Sequence, residues 1–230
     1  MKKVFLFVLL IGSISYYNLT AVDVSLGFVG QFAMSGAVAD SSSILPSSFR
    51  DFDMGYSFLV GIKNNITDNT AISILADLGY YHDGYALKYD INGSRATENY
   101  QFDSFMVGGM FKFHFFFMSL SAGGGVKIPI SGSYRIEDNY SNPLGYSGKY
   151  YLDRGDITDI FDNALIPYVK VSLDFHILNY LLIGVYVNYD FALKFNNSDY
   201  LSNVRVAKES ISSLDIGLQL GYFLNISGNR

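Results

Sequence analysis

Eight stretches of this chain alternate apolar and polar residues with a period of two. Val22, Val24, Leu26, Phe28 and Phe32 fall on one parity, and Asp23, Ser25, Gly27 and Gln31 on the other. The same alternation runs through Phe52–Ile62, Ile72–Tyr80, Phe105–Phe113, Phe116–Ile128, Leu165–Phe175, Ile183–Leu193 and Leu214–Leu224. A helix with one apolar stripe repeats every 3.6 residues, so this pattern predicts eight strands. The stretch Met110–Ile130, "MFKFHFFFMSLSAGGGVKIPI", is about long enough for a membrane-crossing helix of roughly 20 residues. Lys112, His114, Lys127, three consecutive glycines and Pro129 interrupt it. It reads as two strands joined by a tight turn near His114-Phe115.

The connections alternate in length. Long segments lie at about 33–50, 82–101, 131–164 and 196–212, and short turns at about 63–70, 114–116 and 176–180. An even strand number with long and short connections in alternation is the pattern of a barrel whose short turns face the periplasm. Residues 1–21 read as a signal peptide: Lys2 and Lys3, an uncharged apolar run from Val4 to Ile14, and Leu19-Thr20-Ala21 before the cleavage point. Residues 22–230 then form the barrel domain. Removing Lys2 and Lys3 from the 16 basic residues leaves 14 against 21 acidic ones, a net charge of −7. That balance disfavours nucleic acid, whose phosphates need Lys/Arg stripes. Without cysteine there are no disulfides, thiolate metal sites or cysteine nucleophiles.

Period-two strands also build soluble barrels of the lipocalin type, so the outward face has to be identified. The apolar parity carries no charge in any of the eight stretches. The opposite parity is rich in glycine and holds Asp23, Asp53, Asp77, Asp174, Asp190 and Asp215 with Lys112, Lys127, Lys170 and Lys194, but no Glu. Glycine suits the crowded inside of a narrow barrel better than a solvated strand. The polar face therefore looks inward, and the ten charges pair across the lumen as a structural core or line a narrow conduit. Aromatic residues near the strand ends (Phe52, Tyr80, Phe102, Phe113, Phe116, Phe175, Tyr180, Tyr189, Phe195, Tyr222) fit two interfacial girdles.

The pattern resembles the small eight-stranded outer-membrane proteins of diderm bacteria, of the OmpX, OmpW and OmpA-barrel kind, over about residues 22–225. The fold class expected is all-β: an eight-stranded, antiparallel, up-and-down transmembrane barrel. The resemblance implies outer-membrane lipid and the barrel-insertion machinery as partners, and it allows host surface molecules. In such barrels an aromatic residue ends the last strand; here Phe223 is followed by seven more residues, so that signal is displaced.

Candidate chemistry is sparse. His114 and His176 close two strands in "KFHF" and "DFHI" and read as interfacial turn residues. His82-Asp83 would need a loop serine to form a lipid-hydrolysing site, and no His-x-Ser arrangement lies beside it. No catalytic, cofactor or metal-ligand spacing stands out, and the expectation is a non-enzymatic protein. The longest loop carries "YLDRGDITDIFDN". Arg154-Gly155-Asp156 is a tripeptide read by host integrins, and Tyr150 and Tyr151 beside it suit a recognition surface. Asp153, Asp156, Asp159 and Asp162 recur every third residue, which suits one side of a short helical turn, with Ile157, Ile160 and Phe161 packing on the rim. Two roles follow: a surface antigen, adhesin or envelope-stabilising protein working through its loops, or a small channel for apolar solutes.

Overall fold

In lipid no backbone N–H or C=O can be left without a partner, so a strand-built protein must close its sheet. The computed structural model, which describes residues 22–39, 44–45, 51–91, 94–138, 149–177, 180–196 and 210–227, shows that closure. The elements in chain order are β1 (Val22–Ala39), β2 (Ile44–Leu45), β3 (Asp51–Thr67), β4 (Thr70–Ile91), β5 (Ser94–Phe115), β6 (Met118–Asp138), β7 (Lys149–Asp153), α1 (Arg154–Ile160), β8 (Ile166–Ile177), β9 (Leu181–Lys194) and β10 (Ser210–Ser227). Eight of them form the ring β1-β3-β4-β5-β6-β8-β9-β10, every pair antiparallel. β10 returns to β1 from Asp23↔Ser227 to Ala39↔Ile211 without a break in register. β2 extends β4, and β7 pairs with the outer half of β6.

The barrel is inside out relative to a soluble one. Phe28 is 54% exposed, Ile74 52% and Leu218 59%, while Lys112 and Lys127 are 1% exposed. Such a surface is compatible with hydrocarbon, not with water. About 9–11 tilted residues cross a bilayer, and the outward apolar run from Phe105 to Phe115 on β5 has that length. Tyr80 and Phe105 form its upper edge. Among the described residues no helix is long and apolar enough to cross a membrane, and this chain crosses with strands.

Several expectations need correction. The segment 82–101 is not a loop: β4 and β5 stay paired up to Ile91↔Ser94. The strands reach past the apolar band, where the apolar-out alternation ends because the outward face turns polar while Tyr85, Tyr100 and Phe102 face inward. The hairpin turn is Phe116-Phe117, between Phe115 and Met118, with Phe116 at φ 52° in the left-handed region. Phe102 is no girdle residue. It shares parity with Ser104 and Lys112, points inward and is fully buried. Phe195 also leaves the girdle and packs on the internal apolar cap. Residues 1–21, expected to be a signal peptide, and residues 197–209 of the expected last loop lie outside the described residues.

Glycines set how closely the strands and their contents approach. Gly108 lies opposite Gly125. A Cβ on Gly108 would strike the Tyr168 hydroxyl, and one on Gly125 would strike the backbone of Val107 and Gly108. Gly125→Val is therefore expected to destabilise the barrel by about 1–3 kcal/mol, the usual cost of overpacking. The check is the fraction of protein, recovered from membranes in detergent, that migrates faster unboiled than boiled, followed through a urea series.

Candidate functional site

The lumen is filled in layers, and each layer follows from parity. At the outer level Lys127 of β6 reaches across to three carboxylates: Asp83 at 2.5 Å, Asp190 at 2.8 Å and Asp215 at 3.9 Å. Its ammonium also lies 4.1 Å from the centre of the Tyr81 ring. Asn188 donates to Asp215 (2.7 Å) and Asp190 (2.9 Å), Tyr85 donates to Asp190 (3.1 Å), and Ser213 to Asp215 (2.8 Å). Asp53 accepts from the backbone N–H of Gly84 at 2.7 Å.

The inner level is built on Lys112 and Lys170. Lys112 pairs with Asp174 at 2.8 Å. Asp174 also accepts from Gln219, Ser121 and Ser172. Lys170 lies 5.0 Å from the centre of the Tyr186 ring, and Asp77 is buried nearby. A 2.7 Å hydrogen bond between the Tyr81 and Tyr186 hydroxyls links the two levels. What space remains is a small cavity beside Gln31, Lys112 and Lys170. At the short-turn end of the barrel Asp23 accepts from Asn65 at 2.8 Å.

His114 and His176 sit beside their turns but turn into the lumen. They bond Ser73 (2.8 Å) and Ser119 (2.9 Å), with Phe223 packed on both rings. Above the charges, Tyr85, Tyr100, Phe102, Ile157, Phe161 and Ile211 close the outer end in an apolar cap.

Nine of the ten charges read from the sequence as interior are buried; Lys194 is the exception and is exposed. Between Asp190↔Ser213 and Leu193↔Ile211, β9 spends three steps where β10 spends two. This bulge reverses the parity, so Leu193 enters the cap and Lys194 turns outward. The sequence expectation places Asp83 beside His82 at the start of a long connection. It is instead an interior residue, because neighbours on a strand point to opposite faces. His82 bonds Asp103 at 2.7 Å on the outer surface, where Tyr80 (2.6 Å) and Ser131 (3.2 Å) donate to the same carboxylate. This group lies just above the apolar band. Partial burial pushes the Asp103 carboxyl up, but the hydrogen bonds from Tyr80 and His82 outweigh it and hold it below the usual carboxylate range.

The loop candidates cluster at the outer rim. Arg154-Gly155-Asp156 forms the first turn of α1 rather than an extended tip. Arg154 donates to the Pro129 carbonyl (2.9 Å), and Asp153 and Asp156 cap the helix reciprocally. Ile157 and Phe161 anchor the helix in the cap. Asp153, Asp156, Asp159 and Asp162 are exposed. Tyr150 and Tyr151 are exposed on β7, Tyr151 at 80%.

The fold is a closed, eight-stranded, antiparallel transmembrane barrel. No protein-family model and no curated protein matches the chain. Among solved structures it is similar to Ail, the attachment invasion locus protein of Yersinia pestis, at 13% identity over 88% of this chain and 99% of that one, with a TM-score of 0.44. It is similar to Neisserial surface protein A at 9% identity over 86% and 96%, TM-score 0.42. Outer membrane protein OprG of Pseudomonas aeruginosa gives 10% identity over 91% and 97%, TM-score 0.34. The membrane assignment rests on the outward apolar band and is independent of these likenesses.

Lys127 is the ammonium on which the outer level converges. Lys127→Met leaves buried carboxylates facing each other, and losing one partner of a buried pair typically costs about 3–5 kcal/mol. The variant is expected to lose most of its unboiled, fast-migrating form, while Lys194→Met on the exposed bulge stays within about 0.5 kcal/mol of wild type. Urea midpoints of the two proteins check the contrast.

Proposed function

We propose that this chain is a non-enzymatic integral outer-membrane protein that acts through its external face, as a surface antigen, adhesin or envelope-stabilising barrel. The observation that carries this reading is the filled lumen. Two layers of paired charges and an apolar cap occupy the axis of the barrel. An eight-stranded barrel has just enough room for its own side chains, which weighs against the channel for apolar solutes.

The external side is where the chain invests extra structure. β4, β5 and β6 run beyond the apolar band, and β7 and α1 are added on the same side. Tyr150 and Tyr151 supply contact area with few rotatable bonds, and Lys149 lies 5.4 Å from the centre of the Tyr151 ring. The Arg-Gly-Asp tripeptide is a weaker candidate, since Arg154 and Asp156 are engaged in holding the helix. Against hydrolysis, Ser131 and His82 both bond Asp103, so the serine-to-histidine bond that activates a nucleophile is not made.

Two measurements test the proposal. Protein inserted in planar bilayers is expected to show no steady single-channel openings; a stable unitary conductance, or flux of an apolar solute, would favour the channel. Bacteria displaying the protein are expected to adhere to host cells or matrix less when Tyr150 and Tyr151 are both replaced by Ser, with surface amounts unchanged.

A further inference from the structure

The two charged levels of the lumen are unequal. The inner level sets Lys112 and Lys170 with Asp77 and Asp174, equal numbers of cations and anions. The outer level sets Asp53, Asp83, Asp190 and Asp215 around Lys127, and among the described residues no other ammonium or guanidinium joins them. A surplus of buried negative charge in a narrow, poorly solvated lumen has to be compensated.

The geometry shows where. One carboxylate oxygen from each of Asp53, Asp83 and Asp215 lies within 4.8 Å of the other two. Oxygens bound to one calcium ion at 2.3–2.6 Å are at most roughly 5 Å apart. A second observation does not depend on the acidic grouping. Asn188 is 3% exposed, its amide nitrogen donates to Asp215 and Asp190, and its Oδ1 accepts no hydrogen bond. Asp53 Oδ2 and Asp83 Oδ2 are likewise buried without a donor, in residues 1% exposed. Buried oxygens without a donor are rare, and a bound cation accounts for them. β1 offers only two small side chains to the lumen here, Ala33 facing Asp53 and Ser35 facing Asp215 in register.

We propose that Asp53, Asp83 and Asp215, with the amide oxygen of Asn188, form a lumenal site for a hard divalent cation of the calcium or magnesium class. All the donors are oxygen, with neither thiolate nor imidazole among them, which selects against soft metals. The cation ties β3 and β4 to β9 and β10 across β1, directly beneath the cap, and so fixes the platform on which the external elements stand. Its worth appears as a gain in barrel stability, since the site exists only in the folded state.

For the test, the full chain is expressed, recovered from membranes and refolded into detergent micelles with calcium chloride or with EDTA. Bound calcium after desalting is read by atomic absorption and stability by the urea midpoint of the fast-migrating form. Wild type is expected to retain calcium and to unfold at higher urea when loaded. Asp53→Asn keeps an acceptor for Gly84 and leaves the Lys127 pairs intact; it is expected to bind calcium at least tenfold more weakly and to lose the calcium-dependent shift. Asp68→Asn, in the exposed turn between β3 and β4, is expected to behave as wild type. Asn188→Asp adds a fourth carboxylate and is expected to fold far better with calcium than with EDTA. A wild type that retains no calcium and shows no shift would overturn the proposal, protons then neutralising the carboxylates. Unchanged binding in Asp53→Asn, or equal folding of Asn188→Asp in calcium and EDTA, would overturn it as well.

Discussion

Closure of β10 onto β1 is the constraint from which the remaining features descend. The roughly 9–11 residues of each strand that lie in hydrocarbon carry far too many backbone donors and acceptors to leave an edge open, since each unsatisfied group costs several kcal/mol. Closing with eight strands then fixes the radius. The lumen that results holds the chain's own side chains and nothing broader. Glycine on one strand therefore answers tyrosine on another, as Gly108 answers Tyr168 and Gly55 answers Tyr81. Side chains with polar ends are tolerated only where they find partners.

The lumen shows why such a barrel carries charge at all. An all-apolar filling would make the inner and outer faces chemically equivalent, and a one-residue slip in register would cost little. With Lys112, Lys127 and Lys170 on the inner face, the same slip would place ammonium groups in lipid, where a lysine at the midplane costs about 2–4 kcal/mol. The charges thus specify which face is inside. Their cost within the barrel is offset by mutual pairing and by cation–π contact with Tyr81 and Tyr186.

Parity was readable from residue order alone, because apolar-out and polar-in repeat along every strand. It placed Asp77, Lys112, Asp174 and Asp215 inside with no knowledge of pairing. What parity cannot carry is a break in itself. The bulge in β9 turns Lys194 outward with no glycine or proline to announce it. Strand length was hidden for a different reason. Beyond the band the outward face of β4 and β5 turns polar while the inward face carries Tyr85, Tyr100 and Phe102, so the apolar-out alternation ends although hydrogen bonding continues to Ile91↔Ser94. Phe102 and Asp83 were misplaced by proximity to a presumed loop, although their even and odd positions already assigned them inward. Partners across the lumen were invisible: Lys127 lies 44 residues from Asp83 and 63 from Asp190, and only the closed ring brings them together.

The external third obeys different physics from the band below it. At Tyr80 and Asp103 the outward face changes from phenylalanine and leucine to histidine, aspartate and serine, held by hydrogen bonds that water can share. Inside, the order is reversed, since the ionic levels lie beneath and the apolar cap of Phe102, Ile157 and Phe161 lies above. The cap is therefore a small soluble-type core on top of a membrane barrel. It gives α1 a buried anchor through Ile157, and the β9 bulge supplies Leu193 to the same core. The irregularity that defeated the alternation is thus what joins the external elements to the barrel wall. A rigid junction of this kind positions β7 and its tyrosines, whereas a conducting pore would require the same axis to be open.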